Sequence, residues 1–179
     1  MRVFIGIQLS CELKEFLARM QSQLEDNCAC GRFTKRENLH ITLNFIGELN
    51  ENKVKEVEGI IKKVVSKFHA FNIEVKGISF FENNNKRLFF AKVEKNDKLI
   101  KLQKELSNEL SKIGLKQERR VYKPHITIGR NIELLNGYDT QTMEDNCFVE
   151  KVKKVTFFES VFMKSGVEYY DLFTERLKK

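Results

Sequence analysis

The feature that most restricts the fold of this chain is an echo within its own sequence. His40-Ile41-Thr42-Leu43 returns as His125-Ile126-Thr127-Ile128, 85 residues later. Arg2-Val3-Phe4-Ile5-Gly6 returns, at the same spacing of 85, as Arg87-Leu88-Phe89-Phe90-Ala91. One amphipathic segment separates the two members within each half. Each half therefore reads strand, helix, then a strand carrying His-x-Thr, and two matches at one offset indicate a duplicated lobe. Two such lobes about a pseudo-twofold axis set the His-x-Thr strands facing each other. At 179 residues the chain suits one domain, 1–179, built from two repeat lobes, rather than two independent domains. The expected class is α+β and bilobal: two pseudo-twofold-related lobes, each an antiparallel sheet with helices packed outside, around a central cleft.

Local patterns fill in the elements. Residues 2–9 alternate and are rich in branched and aromatic side chains, which predicts a strand. Leu13, Phe16, Leu17, Met20 and Leu24 recur at helical spacing over 11–25, with Ser10 placed as N-cap. A strand is expected over 39–46, ended by Gly47, and a helix over 51–67 from the stripe Val54, Val57, Ile60, Ile61, Val64 and Val65. Strands at 71–81 and 87–93 flank an Asn83-Asn84-Asn85 turn. Leu99, Leu102, Leu106 and Leu110 predict a helix over 97–113, and the chain's only proline, Pro124, opens a strand over 124–129. Two last strands are expected at 148–163 and 167–175 around Ser165-Gly166.

Composition narrows the function classes. Apolar residues make up 41% and charged residues 32%, enough for a packed core. Thirty-two basic residues against 25 acidic ones leave a net charge of +7, compatible with a polyanionic partner. The groups Lys62-Lys63 and Lys151, Lys153, Lys154 read first as solvated faces. No apolar run approaches a membrane span, and the N-terminal residues read as a strand rather than a leader, so a cytoplasmic protein without membrane contact is expected. Of four cysteines only Cys28 and Cys30 are close, at a spacing wrong for a zinc knuckle and with no histidine nearby. Cys11, Cys28, Cys30 and Cys147 are read as reduced thiols.

The chain has three histidines and seven threonines, and two of the histidines carry Thr at +2. In a strand, residues i and i+2 share a face. His40 projects with Thr42 and His125 with Thr127, while Ile41, Leu43, Ile126 and Ile128 point into a core. An imidazole titrates near neutrality, so one ring can act as base while the other acts as acid. A threonine hydroxyl donates to an anionic oxygen without adding charge. Two such units across a cleft suit a phosphodiester: one ring activates water, the other protonates the leaving alkoxide, and the hydroxyls hold non-bridging oxygens. Arg130 adds charge stabilisation. Two histidines make a poor metal site, so neither a metal nor another cofactor is expected. Phe4 and Phe89 are candidates to stack a base, with core packing as their other reading. Tyr122 and Lys123 are placed near substrate by position alone, and His69 is expected at the surface.

These motifs resemble the two-histidine phosphoesterase superfamily, and within it the RNA 2′,3′-cyclic phosphodiesterases formerly named 2′-5′ RNA ligases. The resemblance rests on residues 2–7, Glu37-Asn38-Leu39-His40-Ile41-Thr42-Leu43-Asn44-Phe45-Ile46-Gly47-Glu48, Arg87-Leu88-Phe89-Phe90-Ala91 and Pro124-His125-Ile126-Thr127-Ile128-Gly129-Arg130, with Glu159-Ser160, Gly166 and Tyr169 beyond. It implies a metal-independent opening of the 2′,3′-cyclic phosphate end of RNA to a 2′-phosphate. It also implies His40 as proton donor and His125 as proton acceptor, with Thr42, Thr127 and Arg130 on the phosphate. The expected partners are RNA ends bearing the cyclic phosphate, tRNA fragments among them, acted on by a monomer. The alternatives are 2′-5′ RNA ligase or 2′-5′ phosphodiesterase activity, or a basic RNA-binding module without turnover.

Overall fold

Nine strands and three α-helices account for most of the described chain, which in this computed structural model is residues 1–179 except 84, 85, 119 and 144–146. In chain order they are β1 (Arg2–Gln8), α1 (Cys11–Glu25), β2 (Cys28–Phe33), β3 (His40–Glu48), α2 (Glu51–Val65), β4 (Phe71–Asn83), β5 (Lys86–Val93), α3 (Asp97–Lys112), β6 (His125–Leu134), β7 (Cys147–Val152), β8 (Lys154–Met163) and β9 (Gly166–Arg176). The predicted Asn83–Asn85 turn falls largely on residues 84 and 85, outside the described residues.

The strands build two antiparallel sheets, ordered β3-β1-β8-β9 and β2-β6-β5-β4-β7. Four strands of the second, β6-β5-β4-β7, match the first in order and direction, which is the pseudo-twofold relation expected from the repeat. Among the described residues, strand β2 and helix α2 have no counterpart in the other lobe. No helix among the described residues is long and apolar enough to cross a membrane.

Each helix is started by a side chain and held by one apolar stripe. Ser10 Oγ accepts from the Leu13 amide at 3.1 Å, while Asn50 and Asn96 cap α2 and α3 in the same way. The α1 cap is tied to the sheet by buried Glu150 of β7, which accepts from Ser10 N at 2.8 Å and from Ser10 Oγ at 2.7 Å. Helices α1 and α3 pack on the sheet that does not hold the strand before them, while α2 stays on its own sheet, against β8 and β9. Helix α1 follows β1 yet lies against β2, β6 and β7, and buried Gln21 donates to the carbonyls of Thr34 and Ile128, both at 2.8 Å. Helix α3 follows β5 yet packs on β3 and α2.

The structure corrects three expectations. The run 148–163 is two strands: β7 pairs with β4 in one sheet, β8 with β1 in the other, and the change falls at Lys153. Val152 and Val155 are both buried, so the apolar pattern continues across the switch and hides it. Strand β2 was not foreseen, because Cys28-Ala29-Cys30-Gly31-Arg32-Phe33 is mostly exposed and lacks alternation; pairing with β6 holds it. The third concerns the repeat itself. Thr42 pairs with Gly6, and Thr127 pairs with Phe90, so β5 follows β1 at an offset of 84 rather than 85. A one-residue slip turns every side chain to the opposite face. Phe89 is thereby the counterpart of Ile5, and both are fully buried. With no exposed surface, Phe89 offers a base nothing to stack on.

Truncating Phe89 to Ala should cost about 3–5 kcal/mol, as for other fully buried aromatics. Guanidinium unfolding of the variant measures it. A loss below about 1 kcal/mol would place the ring outside the core.

Candidate active site

Strands β3 and β6 lie side by side where the two sheets meet, and each presents its His-x-Thr pair on the face away from the helices. Both strands carry bulges at equivalent places. Residue 43 is left over between the Thr42–Gly6 and Asn44–Ile5 pairs, and residue 128 between Thr127–Phe90 and Gly129–Phe89. An extra residue resets the alternation. It brings Arg130, three positions after Thr127, onto the histidine face opposite Leu88. In the other lobe the same bulge brings up Phe45, opposite Phe4.

Each imidazole is oriented by a carbonyl two residues upstream. His40 Nδ1 lies 2.7 Å from Asn38 O, and His125 Nδ1 lies 2.8 Å from Lys123 O. A carbonyl oxygen can only accept, so both Nδ1 atoms carry hydrogen and both Nε2 atoms are left for chemistry. The Asn38 turn is itself pinned, its side chain donating to Val167 O at 2.7 Å. His40 Nε2 stands 2.9 Å from Thr42 Oγ1; no such bond joins His125 to Thr127 among the described residues.

The surroundings of the two rings differ. His40 lies among Phe4 (ring centroids 4.8 Å apart), Tyr169 (5.1 Å, edge-on) and Phe158 (6.1 Å). His125 meets the edges of Phe90 at 5.2 Å and Phe81 at 5.6 Å, which are stacked on each other at 4.5 Å. Burial pushes the His40 pKa below its ordinary value; the Asn38 carbonyl opposes this, and the positive charges of His125, Arg130 and Lys14 add to it. Burial likewise raises the Tyr169 phenol, while Arg130 and Arg2 pull it back.

Of the residues expected from sequence, His40, Thr42, His125, Thr127, Arg130 and Phe4 come together here, and Phe89 does not. Phe4 is nearly buried, with its ring on His40 rather than open to solvent. Tyr122 plays a different part from the one expected. Its hydroxyl donates to Thr42 O at 2.9 Å and, pushed well above the usual phenol range by burial, stays protonated. It ties the loop before His125 to the strand that carries His40. Lys123 contributes its backbone carbonyl. His69 is exposed and bridged to Lys178, away from the site. Phe81, Phe90 and Phe158 were missed. The pairing of Phe158 with Phe4 and of Phe81 with Leu88 makes Phe158 and Phe81 repeat mates, a signal visible only once the register is known.

The profile of the 2′-5′ RNA ligase superfamily matches residues 9–142, which include both motifs. The chain belongs to that superfamily. An RNA 2′,3′-cyclic phosphodiesterase of Thermotoga maritima is 37% identical over 131 residues, 73% of this chain and 70% of the relative. One from Methanocaldococcus jannaschii is 33% identical over 159 residues, 89% of this chain and 85% of its own. Among solved structures, a phosphoesterase superposes with a TM-score of 0.84 at 22% identity, covering 99% of this chain and 98% of that one. E. coli LigT complexed with 3′-AMP gives 0.83 at 22% identity with the same coverage. These superpositions show that the superfamily fold spans the whole chain.

In an NMR titration His40 should deprotonate below the ordinary imidazole value of about 6.5. Arg130→Gln removes one positive neighbour, so the His40 midpoint should move up. An unchanged midpoint would mean that Arg130 is not felt at His40.

Proposed function

We propose that this protein is an RNA 2′,3′-cyclic phosphodiesterase that opens the cyclic phosphate to a 2′-phosphate and a free 3′ hydroxyl. The observation that carries the reading is the pair of imidazoles with Nδ1 tied to a carbonyl and Nε2 left for proton transfer. Water attacks phosphorus and its proton passes to His125 Nε2. The bond from phosphorus to the 3′ oxygen breaks on the opposite side, and His40 Nε2 gives that oxygen its proton. Both rings then return to their starting states by exchange with solvent. Thr42, Thr127 and the Arg130 guanidinium hold the non-bridging oxygens as charge builds. The substrates are RNA ends bearing a cyclic phosphate, tRNA fragments among them. Both motifs come from one chain, so a monomer suffices.

A burial-lowered pKa makes protonated His40 a stronger acid, and an anionic phosphodiester beside it restores part of the proton affinity. The rate constant kcat/KM needs one charged and one neutral ring, so its pH profile is a bell. Burial draws the limb that reports His40 below the ordinary imidazole value of about 6.5. The family's own description favours a second reaction at the same atoms: an RNA 5′ hydroxyl in place of water would join two ends through a 2′-5′ linkage.

His40→Ala and His125→Ala should each lower kcat on a nucleoside 2′,3′-cyclic phosphate by at least ~10²-fold while remaining folded, and wild-type activity should persist in EDTA. A p-nitrophenyl phosphodiester has a leaving group that needs no proton, so it should rescue His40→Ala and not His125→Ala. The opposite pattern reverses the two roles. RNA binding with no turnover of any cyclic substrate would instead leave a binding module.

A further inference from the structure

The histidine face of the four-stranded sheet continues beyond Phe4. Strand alternation sets Arg2 on the face of Phe4, and Phe162 on the face of Phe158. Phe45 reaches the same face through the bulge at Leu43. The Arg2 guanidinium carbon lies over both rings, 5.1 Å from the Phe45 centroid and 5.5 Å from that of Phe162. These rings are large and open to solvent: Phe45 is 52% exposed and Phe162 is 66% exposed. The nearby carboxylate of Glu48 faces the N-terminal amino group at 3.7 Å. Arg2 is also felt at Tyr169, whose ring edge touches His40, so the face is electrostatically continuous from the catalytic ring to the sandwich.

Phe45 is the repeat counterpart of Arg130, carried to the histidine face by the equivalent bulge. One lobe places a guanidinium there; the other places an aromatic ring with the guanidinium of Arg2 laid on it. At the strand rise, Phe45 lies roughly 13–16 Å along β3 from His40, beyond the reach of a single nucleotide held at the two imidazoles.

We propose that Phe45, Arg2 and Phe162 form a stacking site for the single-stranded RNA that leads, on its 5′ side, to the reacting end. The inference rests on the phosphodiesterase reading above. Every base has a π face, so the site accepts any sequence, with bases on the exposed rings and a phosphodiester on the Arg2 N–H groups. Its consequence is a preference for oligonucleotides over mononucleotides.

The test compares adenosine 2′,3′-cyclic phosphate with a six-nucleotide RNA ending in the same cyclic phosphate. For the double variant Phe45→Ala/Phe162→Ala, kcat/KM on the hexamer should fall tenfold to a hundredfold, and on the mononucleotide stay within twofold. Phe162→Leu keeps apolar bulk without a ring, and should lose part of the hexamer rate. A wild type that shows no preference for the hexamer, or a double variant that matches wild type on it, overturns the proposal. A second arm measures binding of a 3′-phosphorylated hexamer by fluorescence anisotropy. If the wild type turns over neither cyclic compound, the phosphodiesterase reading fails, and this arm decides the RNA site alone. Binding weakened at least tenfold in the double variant upholds it, and unchanged binding rejects it.

Discussion

The chemistry of the site depends on a backbone carbonyl placed two residues before each histidine. Without that acceptor an imidazole divides its hydrogen between two nitrogens and turns freely. With it, at 2.7 Å from His40 and 2.8 Å from His125, the ring plane, the tautomer and the reactive nitrogen are all set at once. The requirement passes outward to whatever holds the carbonyls. Asn38 is fastened to β9 through Val167, and Lys123 belongs to the loop that Tyr122 ties to β3 and that Gln117 ties to buried Asn44 at 2.8 Å. The second lobe's imidazole is thus positioned partly by the strand of the first.

The duplication supplies two equivalent imidazoles, and the departures from it make them unequal. The pairing register sets Gly6 opposite Thr42 and Phe90 opposite Thr127. A Cβ at Gly6 would come within 2.7 Å of the Ile41 carbonyl, so glycine allows β1 to pair this closely with β3, and the His40 ring lies over that place among Phe4, Phe158 and Tyr169. Phe90 fills the equivalent place beside His125 and meets its ring edge-on. Burial of the His40 ring lowers its affinity for a proton. The glycine in one lobe and the phenylalanine in the other thus give the two rings unequal surroundings.

The histidine pair and the threonines were readable from the sequence because their pattern repeats with the strand, and Arg130 was expected from its place just past the second motif. Helix α1 was expected at 11–25 and found at Cys11–Glu25, because Ser10 announces its start and one leucine stripe runs its length. What could not be read was anything set by register. Sequence similarity aligned Phe89 with Phe4, whereas hydrogen-bonded pairing aligns it with Ile5, and only pairing decides which face a side chain takes. The bulges that deliver Arg130 and Phe45 leave no local mark. Neither does the change of sheet at Lys153, since buried valines stand on both sides. The aromatic wall at His125 was missed for the same reason: Phe81 and Phe90 look like any other phenylalanines until β4, β5 and β6 are in register.

The exchange of helices between the lobes bears on how such a molecule can arise. Helix α1 leaves β1 to cover the five-stranded sheet, and α3 leaves β5 to cover the four-stranded one. Neither α1 nor α3 therefore covers the sheet that holds the strand before it, whereas α2 stays on the sheet of β3, against β8 and β9. Two identical half-chains would satisfy each other by trading helices, as a domain-swapped pair does. Joining them end to end replaces an encounter that depends on concentration with one fixed by the tether. Once tethered, the two copies no longer need to be identical, and a glycine in one can face a phenylalanine in the other.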